Sequence, residues 1–189
     1  MPPSSASGLA VRLATEADAA AIRDIYNREV QASTVTFDLV PRDLAQQLAW
    51  LAAHDGAYPA TVATTAGGEV VGFGSLSPWR DRPAYSTSVE DSVYVREDQR
   101  GRGVGRALLA DLLERATAHG FHAVFARIVG GHEASIALHV AQGFEVAGVE
   151  REVGRKFGRW LDVVVLEQIL SGEAGAASDV PSARSRLLT

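Results

Sequence analysis

The sequence predicts one mixed α/β domain, with antiparallel strands first and strands separated by helices later. Three observations carry that prediction: short strand-like segments recur along the chain, two long stretches place apolar residues at helical spacing, and a glycine-rich turn joins a strand directly to a helix. In chain order, "LAVRLA" reads as a strand. Thr15 then reads as the N-cap of a helix in which Ala19, Ile22, Ile25, Tyr26 and Val30 share one face. A second helix is expected after Pro41, through "DLAQQLAWLAAH". "YPATVATT" and "EVVGFGSLSP" are strands joined across "AGG", a glycine-bearing hairpin connection. Past the loop "WRDRPAYS", the strand "TSVEDSVYVRE" puts Val89, Asp91, Val93 and Val95 on one side and Glu90, Ser92 and Tyr94 on the other. The glycine turn and a helix carrying Leu108, Leu109, Leu112, Leu113 and Ala116 follow. "HAVFARIV" is the next strand, "HEASIALHVAQ" a short helix ended by Gly143, and "FEVAGVEREVG" and "RWLDVVVLEQIL" close the domain. Residues 1–8 and 171–189, rich in Ser, Ala, Gly and Pro, read as tails around a domain at 9–170.

Composition narrows the function. With 189 residues, 47% of them apolar, the chain is large enough to bury a core without covalent staples. It has no cysteine, which excludes disulfides, thiolate metal sites and a cysteine nucleophile. A formal net charge of -5, with no Lys/Arg block, argues against a nucleic-acid partner. No apolar run reaches the roughly 18 residues of a membrane span, and the first residues lack the charge and apolar stretch of a secretory signal. A cytoplasmic protein without membrane partners is therefore expected.

The stretch "QRGRGVGRALLADLLERA" is the most informative in the chain. Glycine inside a helix costs roughly 1 kcal/mol relative to alanine, so Gly101, Gly103 and Gly105 need a reason. A turn that opens a helix presents backbone N–H groups without helical partners, and glycines admit both left-handed φ and the close approach of a bulky anion. Arg100, Arg102 and Arg106 add positive charge that a diphosphate would meet. The turn ends in Gly-Arg-Ala rather than Lys-Ser/Thr, against a nucleoside triphosphatase loop, and its spacing and late position fit a dinucleotide fingerprint poorly.

Arg100-x-x-Gly103-x-Gly105, after "SVYV" and before an amphipathic helix, resembles the acetyl-CoA motif of the GNAT N-acetyltransferase superfamily. "TVTFD", "PWRDRPAY", "SVEDSVYV", "ASIALHVAQGFEVAG" and "GRKFGRWLDVVVLEQ" extend the resemblance from Thr34 to Gln168, toward its phosphinothricin and methionine sulfoximine or sulfone acetyltransferases. The resemblance implies a twisted mixed sheet flanked by helices, splayed beyond the strand ending at Val95, with the pantetheine arm of acetyl-CoA in the gap. It implies a homodimer in which the segment around "KFGRWLDV" reaches the neighbouring active site, and no metal is expected, because no carboxylate at ligand spacing completes a set with His132 and His139. Trp160 and Asp162 are expected to be structural.

Residue roles follow from the same resemblance. Val93, Tyr94 and Val95 would pair their main chain with the pantetheine amides, while Arg100, Gly101, Arg102, Gly103, Val104, Gly105 and Arg106 would hold the diphosphate. Glu90, on the strand entering the turn, would take the proton of the attacking amine, directly or through water. His139 would donate a proton to the departing thiolate, and His132, where the family usually has asparagine, would touch the CoA arm. Arg80 would grip the acceptor's carboxylate or phosphinate, with Arg82 a weaker candidate. Pro83, Ala84 and Tyr85 would shape the pocket, and Phe37 and Trp79 would cover the acceptor's apolar stem. The expected reaction is direct acetylation of the α-amine of a small amino acid analogue. The rivals are acetylation of a protein N-terminus, polyamine or aminoglycoside, and a CoA-sensing module without catalysis.

Overall fold

The computed structural model describes residues 8–170. Seven strands form one sheet: β1 (Ala10–Leu13), β2 (Ala60–Thr64), β3 (Val70–Pro78), β4 (Ser88–Val95), β5 (Ala123–Val129), β6 (Glu145–Lys156) and β7 (Arg159–Ile169). Their order across the sheet is β1-β2-β3-β4-β5-β7-β6. Only β4 and β5 run parallel, and the connection between them carries a helix, as a parallel crossover requires. The helices are α1 (Ala19–Ala32), α2 (Leu44–Ala52), α3 (Val104–Ala118) and α4 (Glu133–Ala141). The expected tails lie almost wholly outside the described residues.

The expected elements form, with small shifts in their ends. The chain enters α1 through a 3-10 turn at Glu16–Asp18, so Thr15 caps that turn and stands one turn ahead of the α-helix. Asp18 explains the detour. Its carboxylate accepts from the backbone N–H and hydroxyl of Thr15 and from both terminal nitrogens of Arg12, an arrangement that ties β1 to α1. Asp43 caps α2 by accepting the Gln46 N–H at 2.7 Å, and the Gln46 side chain accepts in turn from the Asp43 N–H.

Two apolar layers hold the sheet from opposite sides. Ile22, Ile25 and Tyr26 of α1 pack with Leu51, Val62 and Phe73. On the other side Leu109, Leu112 and Ala116 of α3 pack on Leu76, Val89 and Val124. Leu108, Leu109 and Leu112 are fully buried, so truncating any of them to alanine would cost about 2–5 kcal/mol. Glycines on β3 set how close α3 can come: a Cβ at Gly72 would lie 3.0 Å from Val104 and one at Gly74 2.9 Å from Leu112.

The β6–β7 hairpin is less covered. Phe157 and Gly158 both have positive φ, the geometry of a two-residue type I′ turn. A register irregularity between Glu150 and Gly154 leaves the Glu152 N–H outside the ladder, and Asp162 accepts it at 2.8 Å. Val146, Val149, Val153, Phe157 and Trp160 are all at least half exposed.

Candidate active site

The cleft begins where two strands part. β4 pairs with β5 only from Ser88 to Glu90, against Ala123 to Phe125. Beyond that point β4 continues to Val95 without β5 beside it, so its main-chain groups on that side have no strand partner. A cleft of about 420 Å³ opens there, between β4, β5, the glycine turn and the start of α4. Val93, Tyr94, Val95, Arg100, Gly101, Gly103, Val104, Gly105, Arg106, His132 and His139 all line it. Arg102 is exposed and does not line the cleft.

The three glycines do different jobs. Gly101 and Gly103 have φ of +72° and +84°, and a Cβ on either would meet nothing within 4 Å. Both are thus required by backbone conformation, and the space above them is open to a ligand. Gly105 lacks the left-handed conformation expected of it. It sits inside α3, and a Cβ there would come 3.1 Å from Leu138 and 3.6 Å from Val95. Its job is close packing of α3 against α4. The N–H groups of Val104, Gly105 and Arg106 have no acceptor within the helix and gather at its N-terminus, where an anion is favoured. This geometry suits the diphosphate of a CoA ester.

Arg100 is already engaged. Its guanidinium donates to Glu29 at 2.5 Å and to the Val95 carbonyl at 3.2 Å, and Glu29, nearly buried, also accepts from Ser33 at 2.7 Å. Glu29, on α1, is a cleft residue that sequence reasoning missed. Its only signal was a glutamate in a helix whose neighbouring Ile25, Tyr26 and Val30 face the core.

His132 lies just ahead of α4, and burial, with Arg100 nearby, pulls its imidazole below the ordinary range. His139, three residues before the Gln142 cap of the helix, is buried beneath the cleft. Its Nδ1 faces the Ser135 carbonyl at 2.7 Å and its Nε2 faces Asp91 Oδ2 at 3.1 Å. Asp91 was also missed, though its signal was present: a carboxylate alternating with Val89 and Val93 on a buried face needs a partner.

The residues expected to meet the acceptor do not line this cleft. Glu90 lies on the opposite face of β4 from Asp91, in register with Ser77 on β3 and Phe125 on β5. Burial raises its carboxyl above the ordinary glutamate range; Arg127 opposes the rise, while Asp91 and Glu150 add to it. Arg127 itself pairs with Glu150. The Trp79 ring stacks on Phe125 with centroids 4.2 Å apart. Arg80 then sits 5.1 Å from the Trp79 ring and 5.8 Å from that of Tyr85, which belongs to a 3-10 turn at Pro83–Tyr85 with Ala84 between. The chain Glu90, Phe125, Trp79, Arg80 and Tyr85 is therefore one assembled surface. Phe37 stands apart from it, 40% exposed, with its ring against Gly154 of β6.

This architecture agrees with comparison to known proteins. A family model described as an acetyltransferase (GNAT) domain matches residues 11–165. A Pseudomonas paraeruginosa protein named L-methionine sulfoximine/L-methionine sulfone acetyltransferase is 46% identical over 158 residues, covering 83% of this chain and 92% of its own. A crystal structure of a GNAT superfamily phosphinothricin acetyltransferase from Sinorhizobium meliloti, in complex with acetyl-CoA, superposes with a TM-score of 0.85 at 38% identity, covering 93% of this chain and 95% of that one. A structure named ribosomal-protein-alanine N-acetyltransferase from Brucella melitensis gives 0.83 at 41% identity, covering 85% and 99%. Parted parallel strands, an anion-binding turn between them and a match over most of the domain lead to one assignment: the chain belongs to the GNAT family of N-acetyltransferases.

Proposed function

We propose that this enzyme transfers the acetyl group of acetyl-CoA to the α-amine of a small amino acid analogue of the phosphinothricin, methionine sulfoximine or methionine sulfone type. The observation that carries this reading is the parting of β4 from β5 directly beyond Glu90, beside a turn with two left-handed glycines. A thioester held along β4 reaches the level of Glu90, while its diphosphate rests on the head of α3. Glu90 accepts the proton of the attacking amine, for which its raised carboxyl is better matched than an ordinary glutamate. Exposed main chain of Val93 to Val95 supplies N–H groups toward the carbonyl oxygen as charge develops there. Arg80, held over Trp79 and Tyr85, binds the acceptor's carboxylate or its phosphinyl or sulfonyl oxygens. For His139 to protonate the departing thiolate, its Nε2 must first release Asp91. Attack is direct, since the chain has no cysteine to carry the acyl group.

The half-exposed apolar residues of the β6–β7 hairpin support a homodimer that covers them. Thiol release from acetyl-CoA, measured with amino acid sulfones, sulfoximines and phosphinothricin beside an alanine-terminated peptide, a polyamine and an aminoglycoside, tests the acceptor class. The amino acid analogues should give the highest kcat/KM. Preference for the peptide or polyamine would overturn the acceptor, and CoA binding without release under every amine would overturn catalysis.

A further inference from the structure

One buried charge takes no part in the chemistry of acetyl transfer. Lys156, the last residue of β6, is 4% exposed. Among the described residues no carboxylate forms an ion pair with it. Its ammonium donates instead to two backbone carbonyls, that of Thr36 at 2.9 Å and that of Glu29 at 3.4 Å. Glu29 belongs to the last turn of α1, where the negative end of the helix favours a cation. Burial pulls the ammonium below the ordinary lysine range, while Asp38 and Glu29 oppose the fall. Stability does not require such a charge, since well-packed apolar residues of similar volume commonly do as well or better.

The two carbonyls depend on Lys156 unequally. That of Glu29 already accepts from the Ser33 N–H at 3.1 Å and the Ser33 hydroxyl at 3.2 Å, whereas that of Thr36 has no other donor among the described residues. Thr36 is buried and directly precedes Phe37. Its hydroxyl meets Tyr26 Oη at 2.8 Å, and because the Tyr26 proton goes to Asp38 at 2.7 Å, Thr36 is the donor. The residues on both sides of Phe37 are thus tied to α1 by their side chains, while the carbonyl entering Phe37 is tied to β6 by Lys156. Gly154, two residues earlier and so on the same face of β6, lies against the Phe37 ring, where a Cβ would overlap it. Val35, on the other side of Thr36, lines the cofactor cleft.

We propose that the tip of β6, Lys156 with Gly154, is a positioning clamp: it fixes the segment that presents Phe37 and so sets how tightly the acceptor is held. The inference rests on acetyl transfer to an acceptor that meets Phe37. A ring ordered only when the acceptor arrives weakens binding, and a ring already held does not. Lys156 touches neither substrate and acts through Phe37. Cofactor binding is spared, because the Glu29 carbonyl keeps its Ser33 donors and the Glu29 carboxylate keeps Arg100.

Lys156→Met keeps the length and apolar stem of the side chain and removes the ammonium. With whichever amine is acetylated fastest, the acceptor KM should rise about tenfold, the order of one hydrogen bond to a charged group, while kcat and CoA affinity stay within about twofold. The rise should vanish in a Phe37→Ala background, because residues that act as one unit are not additive. Amide exchange of residues 33–38, which needs no acceptor, should quicken in Lys156→Met, and that of residues 100–106 should not. Gly154→Ala presses on the same ring from beneath, should raise the acceptor KM with the same dependence on Phe37, and carries the test if Lys156→Met does not fold. An unchanged acceptor KM, a loss that persists undiminished in Phe37→Ala, or unaltered exchange of residues 33–38 would each overturn the clamp. The acceptor class fails separately, on the ranking of amines, and a peptide or polyamine ranked first would then serve as the acceptor in the same measurements.

Discussion

Replacing Gly103 by alanine separates the two reasons for a glycine in the cofactor turn. The residue has φ +84° and ψ -1°, left-handed geometry that costs a non-glycine residue about 1–2 kcal/mol. Alanine also restricts the unfolded chain, which returns about 0.4–1 kcal/mol, so a net loss near 1 kcal/mol is expected. For a domain of this size that corresponds to a fall in Tm of about 2–4 °C, well short of unfolding. Nothing stands within 4 Å of the added methyl group, so the protein itself has no clash to relieve. A diphosphate approaching the same N–H groups does meet that methyl, and CoA affinity should fall by about tenfold, or about 1.4 kcal/mol. Gly105→Ala is the control. It gains about 1 kcal/mol of helix propensity against a methyl set 3.1 Å from Leu138, so stability should change little while the α3–α4 contact spreads. Urea melts and calorimetry with CoA read both quantities. If Gly103→Ala lost stability with its CoA affinity intact, the turn would not be the diphosphate site.

Glu90→Gln should lower kcat by roughly ten- to ten-thousand-fold with CoA affinity little changed; an unaltered rate at neutral pH would remove Glu90 from proton transfer. Because a base acts when ionised, the wild-type rate should rise with pH through the Glu90 titration, and burial places that limb above the ordinary glutamate range. Arg80→Ala should raise KM for a carboxylate-bearing acceptor and leave CoA binding unchanged; equal loss for both ligands would make the loop merely structural. Asp18 is held down to about 2 from 3.8 by Arg12, with burial opposing and Thr15 helping, so its ionised form stabilises the fold by about 2 kcal/mol. That contribution is present above about pH 4 and lost as pH falls toward 2, so Asp18→Asn should cost its full amount at pH 7 and little near pH 2 in denaturant titrations. Trp160→Arg should halve the mass seen by light scattering if the hairpin's apolar face joins two copies.

The order and type of elements were legible in the sequence because each was written in local terms. Apolar spacing marked Ile22, Ile25 and Tyr26 as a buried helix face, alternation marked Val89 and Val93, and glycines marked the turn. The glycine turn was legible for the same reason, since left-handed φ at Gly101 and Gly103 is a property of adjacent residues. Gly105 was misjudged because its constraint is a neighbour from α4, 33 positions away at Leu138. Asp91, Ser135 and His139 form a group only when β4 and α4 are stacked, and Glu29 meets Arg100 only across the molecule. Sequence alone therefore determined which segments are strands and helices and where an anion could rest. Tertiary packing decided how the charged groups pair and which protons they hold, because burial and distance between remote segments set those energies, and neither is encoded at any single position.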